Sequence, residues 1–174
     1  MSIKTVNSIS GRLSLRAPQR ESLEILHRIT EIVNLDKDVD LNMALDAIKR
    51  EYPTVEDFER DFVSLCFALA TGVGKTRLMG AFISYLYLAH GLQNFFVLAP
   101  NLTIYNKLIA DFTPNTPKYV FKGISEFAVE PPVVITGDNY EQGIGVRDQH
   151  SRQTRFEYGY GGTVHINIFN ISKI

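Results

Sequence analysis

From position 69 to 76 the chain reads Leu-Ala-Thr-Gly-Val-Gly-Lys-Thr. These residue types, in this order, suit the binding of a phosphate chain. Gly72 and Gly74 allow backbone conformations that residues with side chains resist. With them, N–H groups from Ala70, Thr71, Gly72, Val73 and Gly74 can turn inward around phosphate oxygens. Helical periodicity begins at Lys75, so a helix N-terminus would face the same anion with its free N–H groups and its dipole. Lys75 would reach the β- and γ-phosphates as a compact cation, and the Thr76 hydroxyl would ligate a bridging Mg2+. Arg77, the next residue, joins them as a candidate nucleotide contact. The chemistry expected is the binding of a nucleoside triphosphate, ATP with Mg2+. The strict form of this loop wants Gly or Ala where Leu69 stands. The context makes up for that departure, and a glycine-rich turn that binds nothing is the competing reading.

Such a loop needs a strand before it and a helix after it. Val63–Leu69 is a continuous apolar run that reads as a buried strand. A helix is expected from Lys75 to His90, stopped by Gly91. Phe95–Ala99 reads as a second buried strand, followed by a turn at Pro100 and Asn101 and a helix over Leu102–Phe112. Strand, helix, strand, helix predicts a parallel α/β sheet with right-handed crossovers. Upstream, residues 1–15 read as polar and ordered only in part. Leu23, Ile25, Leu26, Ile29, Ile32 and Val33 recur at near-helical spacing after Pro18. Met43, Leu45, Ala47 and Ile48 predict a second helix ending before Pro53. Thr54 with Asp57 resembles a capping box for a short third one. Downstream, Tyr119–Phe121, Val133–Thr136 and Val164–Phe169 are strand candidates, and Gly137–Gly162 reads as a long loop or loose hairpin. The expected division is a helical extension over 1–61 and an α/β nucleotide-binding domain over 62–174.

Composition sets the outer limits. The chain has 174 residues, 45% of them hydrophobic, enough for one ordinary core. Its 18 Lys and Arg against 19 Asp and Glu leave a net charge of −1, so no strong overall field draws nucleic acid or lipid. Cys66 is the single cysteine, which rules out an internal disulfide and fits a reducing cytosol. No apolar run approaches the roughly 18 residues of a membrane span, and Met1–Arg20 lacks a signal peptide's apolar core. These features predict a cytoplasmic protein with no membrane partner.

Several segments together resemble a family. Ala-Thr-Gly-Val-Gly-Lys-Thr resembles the phosphate loop of superfamily 2 helicase-like ATPases. The Leu-Ala-Thr-Gly opening is most similar to the helicase (Res) subunits of type III restriction enzymes. Leu15-Arg16-Ala17-Pro18-Gln19 resembles their upstream Arg-x-x-Gln element, which implies adenine contact by Gln19 and a supporting role for Arg16. Val97-Leu98-Ala99-Pro100-Asn101, with Leu102-Thr103, resembles the segment that touches a DNA backbone, which implies contacts by Asn101 and Thr103. Asn167-Ile168-Phe169-Asn170-Ile171 resembles the stretch shortly before the family's acidic motif. The resemblance implies a partial RecA-like domain, DNA as a partner and a modification (methyltransferase) subunit as another. It also implies a departure: no Asp-Glu-x-His motif occurs in the sequence. The chain therefore reads as an amino-terminal piece that holds nucleotide and hydrolyses it very poorly.

Other residues have plainer readings beside their chemical ones. Asp138, after Val133–Ile135, is the acidic metal residue that a phosphate-loop kinase or other NTPase would use, or a turn aspartate. Asn101 is also a natural helix cap. Arg147, His150, Arg152 and Arg155, with Phe156, Tyr158 and Tyr160, read as a solvated loop or a stacking surface for nucleic acid. The histidines at 27, 90, 150 and 165 have no metal-ligand spacing. Cys66 reads as a small core residue. A non-enzymatic binding module, with the loop as a remnant, completes the alternatives.

Overall fold

The computed structural model describes residues 2–34, 38–140 and 162–173. Its elements run α1 (Ser2–Arg12), α2 (Ala17–Ile32), α3 (Leu41–Glu51), α4 (Lys75–His90), β1 (Asn94–Ala99), α5 (Leu102–Phe112), α6 (Ser125–Val129), β2 (Val133–Thr136), α7 (Gly137–Tyr140) and β3 (His165–Asn170). Three strands form a parallel sheet in the order β1-β3-β2. Asn94 lies opposite His165 and Ala99 opposite Asn170, while Val133 lies opposite His165 on the other side of β3. Helices flank this sheet, so the architecture is α/β, as the alternation of elements predicts.

The first helix corrects the reading of residues 1–15 as partly ordered. Val6 and Ile9 of α1, with Leu13 just past its end, fall on one face, and all three are buried. Full burial of such side chains contributes about 1.5–3 kcal/mol each. They join Leu23 and Leu26 of α2, Ala81, Ile83 and Tyr85 of α4, Val97 and Ala99 of β1, Leu108 and Phe112 of α5, and Ile166 and Ile168 of β3 in one core. The amino-terminal helices therefore share the core that carries the sheet. A second, smaller cluster joins Ile29 and Val33 to Ala44, Ile48 and Phe58.

Helix boundaries follow local chemistry. Pro18 sits in the first turn of α2, where a missing N–H costs nothing. Asp40 caps α3 by accepting from Asn42 and Met43 N–H. Gly91 ends α4 at φ 70°, a conformation natural to glycine. Gly80 in α4 lies close to Val120: an added Cβ would sit 2.9 Å from the Val120 Cβ.

Several local expectations fail. Val63–Leu69 does not join the sheet, and Cys66 within it is exposed rather than in the core. The segment instead lies along the core's margin, with Leu65 and Phe67 packed against it and Phe67 meeting Phe82 at 4.9 Å between ring centroids. An apolar run specifies burial, but a strand also needs a neighbour to take its hydrogen bonds. Phe95–Ala99 is a strand but is not buried on both faces: Val97 and Ala99 are buried, while Phe96 and Leu98 are 72% and 51% exposed. Tyr119–Phe121 forms turns, with Tyr119 N–H bonded to the Thr116 carbonyl. Thr54–Asp57 makes no helix; Asp57 instead accepts from the Glu59 N–H in a tight turn. Within Gly137–Gly162, residues 137–140 form α7. Arg147, His150, Arg152, Arg155, Phe156, Tyr158 and Tyr160 lie outside the described residues.

Candidate nucleotide site

The loop from Ala70 to Gly74 meets α4 in the geometry that an anion site requires. Gly72 has φ 82° and Gly74 φ 94°, both in the left-handed region. Around Gly72 the space is open, with nothing within 4 Å of an added Cβ. Among the described residues, no backbone N–H from Thr71 to Thr76 reaches a backbone carbonyl. The first to do so belong to Arg77 and Leu78, both on the Gly74 oxygen at 3.0 and 3.2 Å. Ala70, Thr71, Gly72, Gly74 and Lys75 are exposed, and Val73 and Thr76 are half-buried. The Lys75 side chain makes no hydrogen bond or ion pair among the described residues. A row of unpaired donors ending in a free ammonium at a helix N-terminus is a basin of positive potential. Such a basin can hold the phosphates of a nucleotide, and the Thr76 hydroxyl, which accepts from Lys107 Nζ at 3.3 Å, is its candidate metal ligand.

Three contacts fix this loop to the amino-terminal helices. Gln19 is 2% exposed; its Oε1 accepts from the Arg16 N–H at 2.8 Å and its Nε2 donates to the Gly74 carbonyl at 2.9 Å. The first bond closes a capping box at the start of α2. Arg16 Nη1 donates to the Gly72 carbonyl at 3.3 Å. From the loop side, Arg77 Nη1 donates to the Leu13 carbonyl at 2.9 Å. Arg16 and Gln19 are thus brought to the loop, where both Gln19 amide atoms hold the protein's own backbone. Arg77 is directed at the α1–α2 turn and ties the loop to it. Glycine is favoured at position 74 by its φ of 94°, and an added Cβ would meet Gln19 Nε2 at 2.7 Å, so a side chain there would displace the Gln19 amide.

Asn101 caps α5, its Oδ1 accepting from the Ile104 N–H at 2.9 Å. Asn101 and Thr103 are both exposed at the N-terminal end of that helix, where a further anion could meet them. Asp138 lies exposed in the four-residue α7 and is joined to the loop by no hydrogen bond among the described residues. Its neighbour Asn139 braces the turn, accepting from the Thr136 N–H at 2.6 Å and donating to the Val134 carbonyl at 3.0 Å. No group of three or more His, Cys, Asp and Glu residues among the described ones could hold a metal ion. Sequence reasoning missed Lys107, which reaches the Thr76 hydroxyl from α5, and its partner Asp111. The i,i+4 spacing of the two on a helix was the available signal; that Lys107 meets Thr76 required the packing of α5 on α4.

A family model described as "Type III restriction enzyme, res subunit" matches residues 12–170. The chain belongs to this family. The match begins at the α1 C-terminus and takes in Gln19, the phosphate loop, Asn101 and all three strands. The fold is accordingly that of a RecA-like helicase domain, in a family of ATP-dependent, helicase-like subunits of type III restriction systems. Such ATPases generally use ATP with Mg2+. No curated protein and no solved structure matches the chain. No helix among the described residues is long and apolar enough to cross a membrane.

Proposed function

We propose that this chain binds Mg-ATP through Ala70–Thr76 and serves as the nucleotide-binding part of a DNA-translocating subunit in a restriction system. The observation that carries the reading is the row of unpaired N–H groups from Thr71 to Thr76 beside the free Lys75 ammonium. The loop N–H groups would surround the β-phosphate, Lys75 would reach the γ-phosphate, and Thr76 would hold the metal. When bound, Mg2+ neutralises charge across the β- and γ-phosphates. Gln19 would keep the loop in its receptive shape through its bonds to the Arg16 N–H and the Gly74 carbonyl; Arg16 supports it through Gly72. Asn101 and Thr103 would contact a DNA phosphate. A methyltransferase subunit is the expected protein partner, and the cytoplasm the expected compartment.

Turnover is a separate matter from binding. The sequence has no Asp-Glu-x-His motif to position an attacking water, so the proposed activity of this chain is binding with negligible hydrolysis. Equilibrium binding of ATP and phosphate release, measured on one preparation, check both halves. Binding that requires Lys75, with release at the buffer rate in wild type and in Asp138→Ala alike, is expected. Release that Asp138→Ala abolishes would instead identify a kinase or another NTPase working through Asp138. Absence of binding would leave the loop a structural turn.

A further inference from the structure

The Thr76 hydroxyl already carries a cation. Lys107 Nζ donates to Thr76 Oγ1 at 3.3 Å and to Asp111 Oδ2 at 2.5 Å. The two ends of this chain differ in exposure. The Lys107 side chain is 50% exposed, whereas that of Asp111 is only 8% exposed, one helical turn further along α5. A buried carboxylate needs a counter-charge, so it holds the ammonium against the protein instead of releasing it to water. The place where it is held is beside the one loop hydroxyl suited to ligate a metal.

We propose that Lys107 is a positioning residue for the nucleotide's metal: it occupies the Thr76 oxygen before nucleotide arrives and yields that oxygen to Mg2+ when Mg-nucleotide binds. The proposal deepens the nucleotide reading above and rests on it. An ammonium donating to Oγ1 draws on the lone pair that a metal ligand must offer, and two cations at one oxygen repel. Lys107 must therefore give up Thr76 as the metal enters, keeping its bond to Asp111. Without metal, the same ammonium stands beside the incoming phosphates and offsets part of their charge. Lys107 thus helps metal-free nucleotide and hinders the metal-bound form, two effects of opposite sign that a packing role would not produce.

The test is the Kd for ATP measured twice on the whole chain, in EDTA and in saturating Mg2+. Lys107→Met keeps the length of the side chain and removes the charge. Its metal-free Kd should rise about tenfold while its Mg2+ value stays level or falls, so the ratio of the two widens by at least about tenfold. Lys107→Gln should move the ratio the same way, as should Asp111→Asn, which loosens the tether. Lys107→Arg, which keeps a cation, should stay near wild type. Both affinities falling together in Lys107→Met and Lys107→Gln, with the ratio unmoved, would overturn the proposal alone. No binding by wild type, or equal binding by Lys75→Ala, would overturn it along with the nucleotide reading.

Discussion

Gln19 changes most in meaning between sequence and structure. Its type and position, just after a proline at the start of a helix, mark it as special, but they suggest an outward-facing amide. In the structure the amide is buried and joins two backbone segments, the Arg16 N–H and the Gly74 carbonyl. Gln19→Ala leaves both groups without their partner and should cost about 1–3 kcal/mol in urea unfolding. It should also weaken ATP binding by releasing Gly74. Gln19→Glu should be at least as damaging, because an acceptor would replace the donor facing Gly74. The start of α4 at Lys75 was legible, since Gly-Lys-Thr after an apolar run marks a helix start. Lys107 was not, because its role depends on how two helices pack. A second residue-scale effect concerns pH. Burial, and after it the neighbouring His27, hold His90 below its ordinary value near 6.5. His90 Nε2 lies 3.2 Å from the Tyr85 hydroxyl, which also meets His27 Nδ1 at 3.0 Å and Thr30 Oγ1 at 2.9 Å. With its folded pKa depressed, His90 binds a proton more readily in the unfolded chain. It therefore contributes stability above about pH 6.5 that is lost as pH falls toward its lowered value. Urea midpoints should drop on acidification through that window, and His90→Gln should flatten the drop.

Elements were legible where one local signal decides them. Leu102–Phe112 is helical over the expected residues because Asn101 supplies a cap and the apolar face is continuous. Gly91 stops α4 where the sequence places the stop. The α3 cap follows the same logic: Asp40→Ala removes two hydrogen bonds to the first turn and should cost about 1 kcal/mol in thermal unfolding. Elements that need a partner were harder. Val63–Leu69 has a strand's composition but finds no ladder partner among the described residues. Residues 1–15 show the opposite error. Their polar composition hid an i, i+3, i+7 spacing of Val6, Ile9 and Leu13, enough for a buried stripe once α4 is there to receive it.

For the molecule as a whole, the sheet is asymmetric. Val97 and Ala99 point into the core, while Phe96 and Leu98 on the opposite face of β1 stay largely exposed. Phe96 stacks on Phe169 at 5.7 Å, extending the apolar patch across the sheet. A parallel sheet is normally covered on both faces, so this surface favours self-association at high concentration. Light scattering should show mass rising with concentration, and Phe96→Lys with Leu98→Lys should suppress that rise. A wild-type monomer across the whole range would count against it. The α/β class and parallel topology were readable from the alternation of elements. Strand order was not, because β3 inserts between β1 and β2 through pairings distant in sequence.

The central claim is that Ala70–Thr76 is a working nucleotide site, and thermal unfolding with and without Mg-ATP tests it most directly. A ligand at 100 times its Kd stabilises the folded state by about 2.7 kcal/mol through mass action alone. Wild type should melt at a clearly higher temperature with Mg-ATP, and Lys75→Ala should show little or no shift at the same concentration. Equal shifts in the two proteins, or none in either at saturating nucleotide, would contradict the account.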